Sequence, residues 1–564
     1  MPKIIIDGKE IEFRPGQTVI EAAKDNGIDI PHFCWHPSLS VSGNCRMCLV
    51  DIEKMPKLAI ACSTLASEGM IIHTQNEKAI HARNAVMEFF LINHPLDCPI
   101  CDEAGECKLQ DYAYQHSVGE SRFVEEKNHK DKRVPLGPNV MFDGERCISC
   151  SRCIRFCDEI AKDAELTFVQ RGDRVTITTY PGEELDNPYA MNVVDICPVG
   201  ALTNRDFRFK ARVWDMSSNK SVCQGCARGC NIDIWVRNNQ ILRLTPRQND
   251  AVNSYWMCDH GRLNTFKFVN SESRVDGPQL RKEGVLTKVG WDEAFAQCAS
   301  RLKTCSKDEI AVIGSPYVTC EDDFITAKFA KNVLGAAHLD FLHHNDPAFG
   351  DDILRRSDIT PNSIGAELMG ITPSKQGLDY DGIVNGIKEG RIKALYVIED
   401  DLISFDSALE NVLIKLDLLI VNSSNYNKTT ALADIVFPAS SFAEKNGTII
   451  NCDGRVQRIK PAIANTESDR SLEGFELSRL DKFGTQFDRW NRSLKYDSRP
   501  TWKILVGLSA ILGNKMKYNV AEDIFTEIAS VNPAFRGMDY NLISDLGVQL
   551  KADIQRKNKI AQLE

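Results

Sequence analysis

The chain has 564 residues, 43% apolar and 26% charged, with a formal net charge of −10 at pH 7. That length and composition fit a soluble globular protein of three to five domains, and the acidic balance argues against a nucleic-acid binder held by phosphate contacts. The longest apolar run, Val412 to Val421, is broken by Lys415 and Asp417, too short and too polar for a membrane span.

The start, MPKIIIDGKE, lacks a basic region followed by an apolar one, so a cytoplasmic location is the expectation. In that compartment the 20 cysteines, 16 of them before residue 260, point to metal or redox ligation rather than to disulfides.

Residues 1–75 open with strand-like runs Lys3 to Ile6 and Glu10 to Phe13 around a turn at Asp7 and Gly8. A helix follows, begun by a capping box at Thr18 and Glu21 and stopped at Gly27. Two strands, a helix and a cysteine loop predict a small β-grasp domain. Its Cys34, Cys45, Cys48 and Cys62 are spaced C-x10-C-x2-C-x13-C, one close pair with a ligand on each side, which is the general plan of a four-thiolate two-iron cluster. Zinc is the alternative, although it usually takes two close pairs. Ser42 and Gly43 suit a tight loop whose N–H groups point at sulfur.

In residues 76–117 a helix is predicted from Ala79 to Asn93, with Ile80, Ala85, Val86, Phe89 and Phe90 near helical spacing and Pro95 as its bound. It delivers His94 to Cys98, Cys101 and Cys107, spaced H-x3-C-x2-C-x5-C. A four-iron cluster and a Cys3His zinc site both satisfy that chemistry.

Residues 118–140 are polar and read as a linker that opens a third domain, 118–215. Here Cys147, Cys150, Cys153 and Cys157 form the C-x2-C-x2-C-x3-C run of bacterial ferredoxins. In two-cluster ferredoxins the fourth cysteine of each run ligates the other cluster. Of a second run only Cys197-Pro198 survives, since Asn187, Ala190 and Val193 stand at its other positions. The crossing rule therefore groups Cys197 with Cys147, Cys150 and Cys153, and Cys157 reads as a small buried apolar residue.

Residues 216–272 carry Cys223, Cys226, Cys230 and Cys258, spaced C-x2-C-x3-C-x27-C. A zinc ribbon would want a second close pair, so a four-iron cluster fits better. Arg228, Arg243 and Arg262 could offset cluster charge but read first as solvated basic surface. In residues 273–564 the runs IAVIG (310–314), ALYVI (394–398) and LLIV (418–421) alternate with helical segments near Trp291 to Leu302 and Thr326 to Leu334, an α/β pattern. Cys298, Cys305, Cys320 and Cys452 are scattered there and form no site. The stretch from 460 onward, with SLKYDSRP as a boundary, packs either on this domain or on a partner.

These four groups in this order resemble the large iron–sulfur subunit of bacterial NADH:quinone oxidoreductases, respiratory complex I. The resemblance implies that the second group is a His-ligated four-iron cluster and that the fourth lies off the main electron path. It also implies one 2Fe–2S and three 4Fe–4S clusters, with no catalytic residue and no complete substrate site on this chain. The implied fold is a β-grasp ferredoxin, a His-Cys cluster domain, a bacterial-ferredoxin-like domain and an α/β domain of molybdopterin-oxidoreductase type. That last likeness rests on VGWDEAF (289–295), LADIVFPAS (432–440) and EKNGTIINCDGRVQ (444–457).

Three departures from catalytic relatives imply that this domain holds no molybdopterin. No cysteine lies between Cys320 and Cys452, His260 stands at the family's relay lysine in Cys258-Asp259-His260-Gly261-Arg262, and Glu399, Asp400 and Asp401 stand where a glycine turn would face phosphates. Carboxylates at that position would repel a pyrophosphate. The implied partners are the flavin- and NADH-binding subunit and other peripheral-arm subunits, on the cytoplasmic side of the inner membrane, with membrane contact only through partners. The competing readings are a molybdopterin enzyme such as a formate dehydrogenase, an iron hydrogenase, whose second half would need further cysteines, and a zinc-stabilised scaffold.

Overall fold

Two left-handed residues, Asp7 at φ +48° and Gly8 at φ +81°, turn β1 (Lys3–Ile6) into β2 (Lys9–Glu12), a geometry that matches strand twist in two-residue hairpins. The structure, a computed structural model, describes residues 1–117, 119–490 and 494–551. The chain divides into two compact units, Met1–Trp214 and Asp215–Glu564.

In the first unit β1 also pairs in parallel with β5 (Ile71–His73), and β3 (Leu49–Ile52) with β4 (Ala59–Ile60) completes a five-stranded sheet of order β2-β1-β5-β3-β4. Helix α1 (Val19–Asp25) buries Val19, Ile20, Ala22 and Ala23. The predicted capping box begins it, with the Thr18 N–H donating to Glu21 Oε2 at 2.7 Å. Cys48 and Cys62 lie in the same core as Ile4, Ile6 and Val50, so two of the proposed ligands are held by the packing of the sheet itself.

Asn76 caps α2 (Glu77–Asn93) through the Ala79 N–H at 3.0 Å, and the helix ends at His94. The described residues of the expected linker carry little regular structure, yet they are tied down. Lys127 Nζ donates to the carbonyls of Leu91 and Ile92 at 2.9 and 2.7 Å, and Lys132 pairs with Asp97 at 2.6 Å. LGPN within that stretch is the turn between β6 (Val134–Pro135) and β7 (Val140–Phe142). The unit is completed by α3 (Lys108–His116), α4 (Arg152–Glu159), the hairpin β8 (Leu166–Val169) and β9 (Thr176–Thr179), α5 (Asn192–Ile196) and β10 (Leu202–Asn204), which pairs with β7.

The second unit begins with the antiparallel strands β11 (Ser217–Val222), β12 (Asn231–Arg237) and β13 (Gln240–Pro246), then α6 (Asp259–Leu263). Its main sheet joins β14 (Gln279–Lys282), β15 (Val285–Lys288), β16 (Ile310–Gly314), β17 (His338–Phe341), β18 (Ala394–Ile398), β19 (Leu418–Ser423) and β20 (Ile435–Pro438) in the order β15-β14-β20-β19-β18-β16-β17. The five strands from β20 to β17 are parallel. β16 and β18 are buried at every position, as strands covered on both faces must be.

The predicted helix α7 runs from Trp291 to Leu302. α8 (Cys320–Lys328) begins before the expected Thr326, because Thr319 Oγ1 caps it by accepting the Asp322 N–H at 3.1 Å. It passes into a π-helical turn, Phe329–Leu334. The stretch after residue 460 is no separate tail. Helices Thr501–Ile511 and Ala521–Val531 bury Ile504, Leu505, Leu508, Ile524, Phe525 and Ile528 in one core with α7 and α8. A last sheet pairs β21 (Gly447–Ile450), β22 (Arg455–Ile459) and β23 (Val548–Gln549). Ser493 of SLKYDSRP, with 491–492 and 552–564 of the last predicted domain, lies outside the described residues. No described helix is long and apolar enough to cross a membrane.

Candidate metal centres

Pairing of β3 with β4 sets Cys48 beside Cys62, with the Ala61 N–H donating to the Cys48 carbonyl at 3.0 Å. Across the loop the Cys34 N–H donates to Cys45 Sγ at 3.4 Å. Thiol donors at Cys45 and Cys62, followed by the N–H groups of Cys45 and Asn44, hold Cys34 well below the ordinary thiol range. The sulfur-facing donors are thus Asn44 and Cys45, the residues directly after the expected Ser42 and Gly43. Gly43 (φ +64°) and Arg46 (φ +59°) supply the bend.

The third group surrounds a cavity of its own. Cys147, Cys150, Cys153 and Cys197 line one cavity, whose walls include Phe142, Ile177 and Leu202. Cys157 is not among the residues lining it: it is fully buried on α4, and burial pushes its thiol up. Two left-handed serines, Ser149 (φ +52°) and Ser151 (φ +62°), fold the C-x2-C-x2-C run around the cavity, and the Ser149 N–H donates to Cys147 Sγ at 3.4 Å.

In the second group Cys101 and Cys107 are buried and Cys98 is exposed. His94 caps the end of α2, and burial, with the charges of Arg146 and Lys127, pulls its imidazole down to about 4. A neutral ring at pH 7 is the form that ligates metal. Gly200 is required here, since a Cβ on it would stand 2.2 Å from Cys101 Sγ.

In the second unit Cys223, Cys226, Cys230 and Cys258 are mutual neighbours. The Gly225 N–H reaches Cys223 Sγ and the Gly261 N–H reaches Cys258 Sγ, each at 3.4 Å. A Cβ at Gly261 would meet Cys223 Sγ at 2.8 Å. Arg262 is 3% exposed, which corrects its reading as solvated surface: it is buried on α6, with Nη1 donating to the Leu244 carbonyl at 3.4 Å. Arg228 pairs with Asp453 at 2.9 Å, and Arg243 stacks on Trp235 with its guanidinium 4.5 Å from the ring centre. Burial raises the thiols of the third and fourth groups, so ligation there must displace protons. Among the described residues no three His, Cys, Asp or Glu side chains close on a single ion position.

Five family models match the chain. They are a 2Fe–2S iron–sulfur cluster binding domain (3–77), the NADH-ubiquinone oxidoreductase-G iron–sulfur binding region (83–122), the ferredoxin-like domain of NADH-quinone oxidoreductase subunit 3 (137–203), the molybdopterin oxidoreductase Fe4S4 domain (216–271) and molybdopterin oxidoreductase (362–471). The NADH-quinone oxidoreductase G subunit of Rickettsia prowazekii is 44% identical over 58% of this chain and 48% of its own length. That of Streptomyces coelicolor is 38% identical over 60% and 40%. Over these stretches the chain is similar to NADH-quinone oxidoreductase G subunits.

It spans about half the length of the curated relatives it matches. An NAD+-reducing nickel–iron hydrogenase structure aligns over 38% of this chain and 91% of its own, at 30% identity and a TM-score of 0.35.

The spatial order of the first three cysteine groups differs from their order in the chain. The Asn44 side chain donates to the Ser149 carbonyl at 3.1 Å, and Arg155 Nη2 donates to the carbonyls of Cys34 at 2.5 Å and Cys150 at 3.4 Å. These bonds join the first group to the third. On the other side of the third group, the loop after Cys197 meets the second: Cys107 Sγ lies 3.9 Å from the Pro198 carbonyl and the Lys108 N–H donates to it at 3.2 Å. The sequence reading missed Arg152 and Arg155. Their signal was present as basic residues inside and directly after a ligand run, Cys150-Ser151-Arg152-Cys153-Ile154-Arg155.

Open parallel sheets bind ligands at the carboxyl ends of strands where the winding reverses, here between β16 and β18. That crevice is filled. Ser315 Oγ donates to the Glu399 carbonyl at 3.2 Å, Lys445 bridges Asp322 at 3.0 Å and Glu399 at 3.1 Å, and His344 pairs with Asp400 at 2.9 Å. Asp401 caps the turn at Thr429. The three carboxylates at the position of the family's glycine turn are therefore engaged by partners inside the domain.

Proposed function

We propose that the chain is the electron-transfer subunit of an NADH:quinone oxidoreductase, relaying single electrons from a flavin-bearing partner toward quinone. Cys34, Cys45, Cys48 and Cys62 would hold a 2Fe–2S cluster. His94, Cys98, Cys101 and Cys107, then Cys147, Cys150, Cys153 and Cys197, then Cys223, Cys226, Cys230 and Cys258 would each hold a 4Fe–4S cluster. When bound, such clusters supply one-electron carriers whose potentials follow from charge, hydrogen bonds to sulfur and exclusion of water.

The observation that carries the reading is the cavity lined by Cys147, Cys150, Cys153 and Cys197, four thiols from two separated segments with an apolar wall. The chain's own residues contribute three things to such a relay. N–H groups of Asn44, Cys45, Ser149, Gly225 and Gly261 point at sulfur. Buried apolar side chains keep water from the third site. Arg155 and the Pro198 loop hold the first, third and second sites in succession. The remaining finer features of the reading are a β-grasp fold for residues 1–75, a scaffold role for 273–564, peripheral-arm partners and a cytoplasmic position at the inner membrane.

Metal analysis and low-temperature paramagnetic resonance on anaerobically prepared protein test it. About 14 irons per chain are expected from one two-iron and three four-iron clusters, with neither zinc nor molybdenum. Stoichiometric molybdenum would favour a molybdopterin enzyme instead. Cys197→Ser is expected to lose the third cluster's signal while Cys157→Ser keeps it; the reverse would overturn the ligand assignment.

A further inference from the structure

Arg152 opens α4 between two ligands of the third group and is 5% exposed. Its guanidinium points out of its own site toward the first. Nη1 donates to the carbonyl of Ile196, the residue before Cys197, at 3.1 Å, and Nη2 donates to the carbonyl of Trp35, the residue after Cys34. Its side chain also lines the third cavity. Nε has no hydrogen-bond partner, and among the described residues no carboxylate pairs with this cation. Thiols of both sites act on it electrostatically, Cys150 and Cys197 on one side and Cys34 and Cys45 on the other, and Lys108 is a neighbouring cation.

An arginine stays protonated in a protein, and an uncompensated buried charge is strongly destabilising. Two carbonyl dipoles are weak compensation for a full charge in this interior. Thiolate-ligated iron on either side would bring net negative charge to where the guanidinium lies, and would bring more of it on reduction.

Resting on the cluster assignment above, we propose that Arg152 is a positioning residue shared by two sites, the common counter-ion of the two-iron site at Cys34 and the four-iron site at Cys197. It therefore raises both potentials together and couples them. One cation between two anionic centres favours the first electron on either, and its carbonyl bonds fix the distance across which they meet. Arg146, by contrast, serves the second group and is neutralised by Asp97 at 2.8 Å.

The test is a redox titration of the full-length, iron-loaded chain, followed by paramagnetic resonance, in wild type, Arg152→Gln and Arg152→Lys. In Arg152→Gln both the two-iron and the third-site midpoints are expected to fall. The expected size is at least about tenfold in each reduction equilibrium, or ~59 mV for one electron, while the second and fourth sites move much less. Arg152→Lys keeps the charge and is expected to retain most of both potentials. Should Arg152→Gln fail to retain the third cluster, the two-iron midpoint in that variant and both midpoints in Arg152→Lys decide the matter. Unchanged potentials in loaded Arg152→Gln, or a shift confined to one site, would overturn the proposal. So would equal falls in the Lys and Gln variants. Absence of the two-iron or third-site signal from wild type would instead overturn the assignment on which it rests.

Discussion

The first unit and the parallel-sheet part of the second solve the problem of buried charge in opposite ways. Past residue 272, buried cations meet carboxylates: Arg274 with Glu444 at 2.6 Å, Lys445 with Asp322 and Glu399, and Arg489 with Asp481. In the first unit Arg146 has such partners, but Arg83 and Arg152 donate only to carbonyls. Arg83 is fully buried, with Nε and Nη1 unpartnered and Cys48 and Asp7 as its nearest charges. The difference teaches that one part of the molecule pairs its buried cations with carboxylates, while the other keeps Arg83 and Arg152 beside cysteines.

The strongest way to break that contrast is to remove iron. Chelation under reducing conditions is expected to strip protection from Met1–Trp214, because ligation free energy is folding free energy at such sites. The parallel-sheet part should stay protected. Hydrogen exchange with limited proteolysis reads both regions in one sample, and persistent protection of the first unit without iron would dissolve the contrast.

Next in size is Lys445→Met, which leaves Asp322 and Glu399 buried without their cation. Breaking such a pair costs about 3–5 kcal/mol. Thermal unfolding of the second unit should show it, with iron content and cluster signals unchanged. A loss of iron in this variant would mean that the two regions are not independent.

The smallest effect concerns Glu321, whose carboxyl burial raises to about 7 against hydrogen bonds from Thr448 and Tyr540. A carboxyl raised in the folded state stabilises fully below its unfolded value, and that contribution fades as pH rises through the folded value. Glu321→Gln is therefore expected to flatten the decline in Tm between about pH 5 and pH 8, by at most about 3 kcal/mol at the alkaline end. Parallel pH profiles for wild type and variant would sink the idea.

Much of this was legible from local rules. The Asp7-Gly8 turn, the Thr18–Glu21 cap, the helix ending at His94 and the strands IAVIG and ALYVI depend on neighbouring residues and on burial period, and they stand where expected. The grouping of Cys197 with the C-x2-C-x2-C run rested on a spacing rule, and all four thiols line one cavity. What stayed hidden was long-range. Nothing near Glu399 announces Lys445 or Thr501, and nothing near Arg262 announces its burial on α6. The order first, third, second among the cysteine groups is likewise tertiary, because it depends on where the loop after Cys197 returns.

Gly200 gives that return a particular tolerance. With Cys101 Sγ at 2.2 Å from any Cβ it could carry, the contact between the second and third groups is main chain against sulfur, with no side chain interposed. Drift in the surrounding sequence can repaint the walls of both sites without widening this gap. A side chain at the glycine itself would act as a spacer, so the closeness of the two cysteine groups is guarded by a residue that is itself no candidate ligand.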